Sequence, residues 1–219
     1  MLTDDGKHLY VSWDEYHMLT ERLALKVHAS GWEFDQILCL ARGGMRPGDV
    51  LSRVFDKPLG IMSTSSYRAE AGTIQGRLDI AKYITLPKGE LAGRVLLVDY
   101  LADSGITLRA VVDRLRGMPA IAELRAAVIW VKGVSTYTPD YYVERLPTSP
   151  WIHQPFEEYD TLRPDGPGAG VDADYVIAAA GVLHAPRHGN GRGNIDHARQ
   201  RLNPRRGADG LHILDAILQ

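Results

Sequence analysis

The chain has 219 residues, 45% of them apolar, enough to close the core of one α/β domain with an appendage. Its 25 lysines and arginines nearly balance 27 aspartates and glutamates, and no block of one sign stands out. That balance argues against a nucleic-acid or membrane-surface binder and for a small anionic ligand held by local geometry. No apolar run approaches the ~20 residues of a membrane span, the opening MLTDDGKHLY lacks the regions of a signal peptide, and the single Cys39 sits in an apolar run that reads as a reduced core. A cytoplasmic location is the expectation.

In chain order, Ser12 and Glu15 form a capping box, after which Tyr16, Leu19, Leu23 and Val27 repeat at helical spacing until Gly31 supplies a stop. QILCLA (36–41) reads as a buried strand, ARGG (41–44) as a turn and GDVLSRVF (48–55) as a helix. LGIMSTSSY (59–67) reads as a second strand, followed by a polar, glycine-bearing loop over 68–77. RVLLVDYL (94–101) has the near-continuous apolar run of a central parallel strand. A helix follows with Leu108, Val111, Val112 and Leu115 on one side and Gly117 at its end. LRAAVIWVK (124–132) and DYYVERL (140–146) read as further strands. The alternation predicts an α/β fold, a doubly wound and mainly parallel sheet whose ligands bind beyond the carboxyl ends of its strands.

Composition changes after Pro164, so residues 1–163 are expected to form the domain and 164–219 a C-terminal extension of unassigned role. DGPGAG (165–170) reads as a linker and RHGNGRGN (187–194) as a glycine- and arginine-rich stretch. His184, His188, His197 and His212 fit no compact metal spacing.

The chemistry concentrates in LLVDYLADSGITL (96–108). A buried strand delivers Asp99 to its carboxyl end, and a short loop turns into a helix through Ser104, Gly105 and Thr107. Unpaired N–H groups at a helix N-terminus, a glycine for close backbone approach and two hydroxyls make a phosphate cradle, with Asp99 and Asp103 flanking it. An ordinary capped strand-to-helix turn can carry the same residue types.

This segment resembles the phosphoribosyl pyrophosphate signature of type I phosphoribosyltransferases. The resemblance implies their fold, with a small hood element, their cofactor Mg2+ and a homo-oligomeric state. By it, Asp103, Ser104, Gly105, Ile106 and Thr107 surround the 5′-phosphate. Asp99 serves the ribose hydroxyls and the metal, and Asp103 also acts as general acid/base near N7 of a purine. ARGG resembles the family's pyrophosphate loop, in which a peptide that is often cis precedes the glycine, and Arg42, Gly43 and Gly44 approach the diphosphate. Alone, Arg-Gly-Gly is a common structural loop. Ser66 and Tyr67 resemble the Ser-Tyr of the family's flexible closing loop.

VK (131–132), PDYYV (139–143) and PWIHQPFE (150–157) resemble the purine-recognition region of bacterial xanthine-guanine and hypoxanthine phosphoribosyltransferases. The implied roles are Lys132 donating to the exocyclic oxygen of a 6-oxopurine, Trp151 stacking on the ring and the Ile152 backbone meeting its Watson–Crick edge. Singly, Lys132 reads as a snorkelling lysine and Trp151 as core. One departure stands out: Tyr100 occupies the place of a second carboxylate beside Asp99 and removes one negative charge. The expectation is therefore a purine-salvage enzyme acting on phosphoribosyl pyrophosphate and a 6-oxopurine. The alternatives are a phosphoribosyltransferase-like nucleotide-binding regulator with weak or no catalysis because of Tyr100, and an unrelated α/β nucleotide-binding module.

Overall fold

The computed structural model describes residues 1–66 and 78–160. Residues 1–155 form one compact unit, and a second begins at Phe156, described only through a 3-10 turn at Glu157–Asp160. Tyr67, the predicted loop over 68–77 and the motifs of the tail lie outside the described residues.

The first unit contains β1 (His8–Tyr10), α1 (Trp13–Ala29), β2 (Gln36–Ala41), α2 (Met45–Phe55), β3 (Leu59–Ser66), β4 (Leu78–Ile80), β5 (Gly93–Val98), β6 (Leu101–Ala102), α3 (Ile106–Arg116), β7 (Ile121–Lys132), β8 (Tyr141–Leu146) and β9 (Trp151–His153). The main sheet runs β4-β3-β2-β5-β7, and β7 also pairs with β6 and β8. All of these pairings are parallel except β3 with the short β4. Expectation and structure agree on a doubly wound α/β sheet.

Local chemistry sets the element ends. Ser12 Oγ accepts from the Glu15 N–H, and the Glu15 carboxylate accepts from the Ser12 N–H at 2.8 Å, so both halves of the capping box form. Tyr16, Leu19, Leu23 and Val27 then face the sheet. α2 begins at Met45, three residues before the sequence suggested. Pro47 is tolerated there because a first turn leaves its N–H groups without intrahelical acceptors.

Strand alternation divides the core into two layers. Leu38, Leu40, Leu97, Ala126 and Val128 pack with Leu108, Val111, Val112 and Leu115 of α3. Cys39 faces α2 instead, where a Cβ at Gly48 would meet its Cβ at 2.8 Å. It is fully buried, which pushes its thiol up to about 11, as its place in an apolar run led one to expect.

The predicted strand over 94–101 is interrupted. β5 ends at Val98 opposite Ala127, and pairing resumes at Leu101 opposite Trp130 with the register unchanged. At the break the Tyr100 carbonyl accepts from both Ile129 and Trp130 N–H groups, each at 3.1 Å. Here the alternation of β7 slips by one: Val128 and Val131 both join the α3 layer, while Trp130 packs against Tyr16 of α1. The slip aims the end of β7, and with it Lys132. Sequence pattern alone did not separate β1, β4 or β6, each only two or three residues long.

Candidate active site

The carboxyl ends of β2, β5 and β7 deliver three segments to one edge of the sheet, as parallel neighbours must. Ala41–Gly44 follows β2, Asp99–Gly105 follows β5, and Lys132–Tyr137 follows β7.

In the first segment the Ala41–Arg42 peptide is cis, Arg42 is exposed, and Gly44 is the N-cap of α2. A Cβ on Gly43 would run into the ring of Tyr100 and lie 3.1 Å from Asp99 Oδ1. One on Gly44 would meet the carbonyls of Val98 and Leu40. Both positions therefore require glycine through close approach, and the Arg42–Gly44 turn abuts the Asp99–Tyr100 turn.

Asp99 is half-buried, and its Oδ1 accepts from the Tyr100 N–H at 2.8 Å. Desolvation by its dense surroundings pushes the carboxyl up to about 7, against the opposing effect of that hydrogen bond. The ring of Tyr100 covers Gly43 where a second carboxylate was expected.

The strand–loop–helix turn expected after β5 is present. Gly105 is the N-cap of α3 at φ 78°, and Ser104 and Ile106 are exposed around it. Ser104 Oγ accepts from the Ile106 N–H at 3.4 Å, and Thr107 is half-buried on the first helical turn. The first N–H groups of α3 have no intrahelical acceptors and suit an anion. Gly105 is needed for a reason the sequence did not give. A Cβ there would meet Ser135 Oγ at 2.5 Å and the Tyr137 nitrogen at 2.6 Å, so the glycine makes room for the segment after β7.

Lys132 is buried, 7% of its side chain exposed, and its Nζ lies 3.0 Å from Oδ1 of the 47% exposed Asp103. A cation buried this far requires such a partner.

In the hood, β9 pairs with β1 in parallel, with Leu9 opposite Ile152. The Trp151 N–H donates to Lys7 at 2.7 Å, and the His153 carbonyl accepts from Val11 at 3.1 Å. In a parallel ladder alternate residues make the bonds, so the N–H and C=O of Ile152 point away from β1. Ile152 is buried, while Trp151 is 47% exposed, contrary to a core tryptophan. Ser66 ends β3 opposite Leu78.

Sequence reasoning missed Thr136 and Arg109. The Thr136 N–H and Oγ1–H both donate to the Ser104 carbonyl, at 2.9 and 3.0 Å, and Arg109 Nη2 donates to the Thr136 carbonyl at 2.6 Å. One signal was available: a cation in the first turns of a helix opposes the helix dipole and calls for a specific partner.

The sequence profile of the phosphoribosyl transferase domain matches residues 12–161. The chain belongs to that family. A xanthine-guanine phosphoribosyltransferase of Roseobacter denitrificans is 31% identical over 112 residues, 48% of this chain and 63% of that protein, so the match spans less than two thirds of the relative. The purine phosphoribosyltransferase of Pyrococcus horikoshii superposes with a TM-score of 0.58 at 30% identity, over 72% of this chain and 99% of the other. The xanthine-guanine-hypoxanthine phosphoribosyltransferase of Helicobacter pylori gives 0.57 at 27% identity, over 70% and 95%. The mainly parallel sheet is thus the type I phosphoribosyltransferase fold.

Proposed function

We propose that this phosphoribosyltransferase acts in purine salvage, moving the 5-phosphoribosyl group of phosphoribosyl pyrophosphate to guanine, xanthine or hypoxanthine. The observation that carries the reading is the pair formed by Lys132, a buried ammonium, and Asp103, a carboxylate of the phosphate loop, 3.0 Å apart. An exocyclic oxygen at C6 accepts from that ammonium, whereas the amino group of adenine offers it no useful lone pair. N9 of the base attacks C1′, the electron pair of the C1′–oxygen bond leaves with diphosphate, and the N7 proton passes to Asp103.

In this reading Ser104, Gly105, Ile106 and Thr107 hold the 5′-phosphate. Arg42 and the backbone of Gly43 and Gly44 take the diphosphate. Trp151 stacks on the purine, and the outward-facing backbone of Ile152 meets its Watson–Crick edge. Among the described residues no three His, Cys, Asp or Glu side chains cluster for a metal. Asp99 would hold a magnesium ion, a hard cation that its carboxylate oxygens suit. When bound, that ion neutralises charge on the leaving diphosphate.

Residues 1–163 are assigned to the catalytic domain and 164–219 to a separate extension, and the working state to a cytoplasmic homo-oligomer. The regulator reading is not favoured, since the relatives matched are named as enzymes. The test is nucleotide formation from labelled phosphoribosyl pyrophosphate with a panel of bases. Product with the oxopurines alone supports the reading, and product with none of them overturns it.

A further inference from the structure

Segment 133–137 lies between the two halves of the site. At one end the Ser135 N–H donates to the Lys132 carbonyl at 3.0 Å, and the Gly133 N–H donates to Thr148 at 3.4 Å, three residues before Trp151. At the other end Thr136 donates twice to the Ser104 carbonyl, and Ser135 and Tyr137 fill the space that a side chain on Gly105 would need. Ser135 Oγ–H donates to the Tyr137 carbonyl at 2.8 Å and keeps the segment folded on itself. Arg109 closes the arrangement from α3. Its Nη2 donates to the Thr136 carbonyl at 2.6 Å, and its guanidinium lies 5.5 Å from the centroid of the Tyr137 ring.

The segment is therefore held by contacts to the helix whose N-terminus forms the phosphate loop, and the same helix supplies the clasp. Resting on the phosphoribosyltransferase reading, we propose that Arg109 is a positioning residue: it clamps Thr136 onto Ser104, fixing the phosphate loop and tying it to the strand end that carries Lys132. A planar cation that donates to one carbonyl while lying over an aromatic ring suits a guanidinium better than an ammonium. Substrate phosphate and purine base are then bound by parts of one braced unit, and the brace is Arg109–Thr136–Ser104.

Arg109 is exposed, so Arg109→Met keeps the aliphatic stem and leaves the core untouched. Thr136→Val removes the hydroxyl donor and retains the backbone bond. Binding of guanosine 5′-monophosphate and of guanine alone is titrated calorimetrically for the parent, both single variants, the double variant and Arg109→Lys, with thermal unfolding of each. The expected result is a loss of roughly tenfold in nucleotide affinity for either single variant, with base affinity changed less than the nucleotide's. The double variant should lose no more than the worse single one, because both act through one tie. Arg109→Lys should recover little of the loss. Parent-like nucleotide affinity in both single variants overturns the proposal, as do additive losses, which would mark Arg109 as a direct phosphate ligand. If the parent itself binds neither nucleotide nor base, the functional reading fails instead.

Discussion

Lys132 Nζ and Asp103 Oδ1 stand 3.0 Å apart, which places the cation at the end of β7 directly against the loop that opens α3. In the proposed reading, removing the ammonium strips the site of its donor to a C6 oxygen and leaves Asp103 without the cation 3.0 Å away. Lys132→Ala is expected to cost roughly 1.5–3 kcal/mol in kcat/KM for guanine, xanthine and hypoxanthine, the range for a hydrogen bond to a charged group. Steady-state kinetics with each base checks this; unchanged values for all three would remove Lys132 from the site.

Gly105→Val should damage both stability and binding. The backbone at φ 78° disfavours a β-branched residue, and the new Cβ would strike Ser135 and Tyr137. A stability loss of roughly 1–3 kcal/mol is expected, together with weaker binding of phosphoribosyl pyrophosphate. Denaturant melts and substrate titration measure the two effects. Wild-type stability would show that segment 133–137 does not press on this glycine.

The Asp99 carboxyl, raised by burial from 3.8 to about 7, makes stability depend on pH in a definite direction. Across that window the folded state retains a proton that the unfolded chain has released, so stability falls as pH rises and the loss is complete above the upper value. Asp99→Asn removes the effect while an amide oxygen can still accept from Tyr100. Its melting temperature should exceed the parent's by roughly 2–8 °C at about pH 8 and converge with it near pH 4. A constant difference across pH would contradict the assignment.

Tyr100 lies over Gly43 and carries no charge at neutral pH. Tyr100→Asp restores a second carboxylate beside Asp99 and opens space over the Arg42–Gly44 turn. A carboxylate about 4 Å from a divalent ion at an effective dielectric near 20 has a Coulomb energy of roughly 8 kcal/mol before desolvation, so a small net fraction is measurable. Activity at limiting magnesium should rise severalfold once circular dichroism confirms folding. A folded variant no more active than a parent already efficient at low magnesium would show that Tyr100 costs the site nothing.

Much of the fold was legible because its signals are local. The Ser12–Glu15 capping box, the spacing of Tyr16, Leu19, Leu23 and Val27, and the apolar run ending at Val98 each act within one element. The turns after β2 and β5 stand out in the same way, since their glycines and hydroxyls lie close together in sequence. What escaped were relations between distant residues. The interruption at Asp99–Tyr100 arises from Ile129 and Trp130 sharing one carbonyl, and the need for glycine at 105 arises from Ser135 and Tyr137. Arg109 and Thr136 are 27 residues apart, and nothing in either neighbourhood announces the other.

The most direct test of the central claim is the rate of pyrophosphate release from phosphoribosyl pyrophosphate with magnesium, measured with no base, with adenine and with each 6-oxopurine. Release that depends on guanine, xanthine or hypoxanthine, stays at background with adenine and falls with Lys132→Ala is the predicted result. Release that is equal with adenine, or that never exceeds the rate without base, would contradict the account.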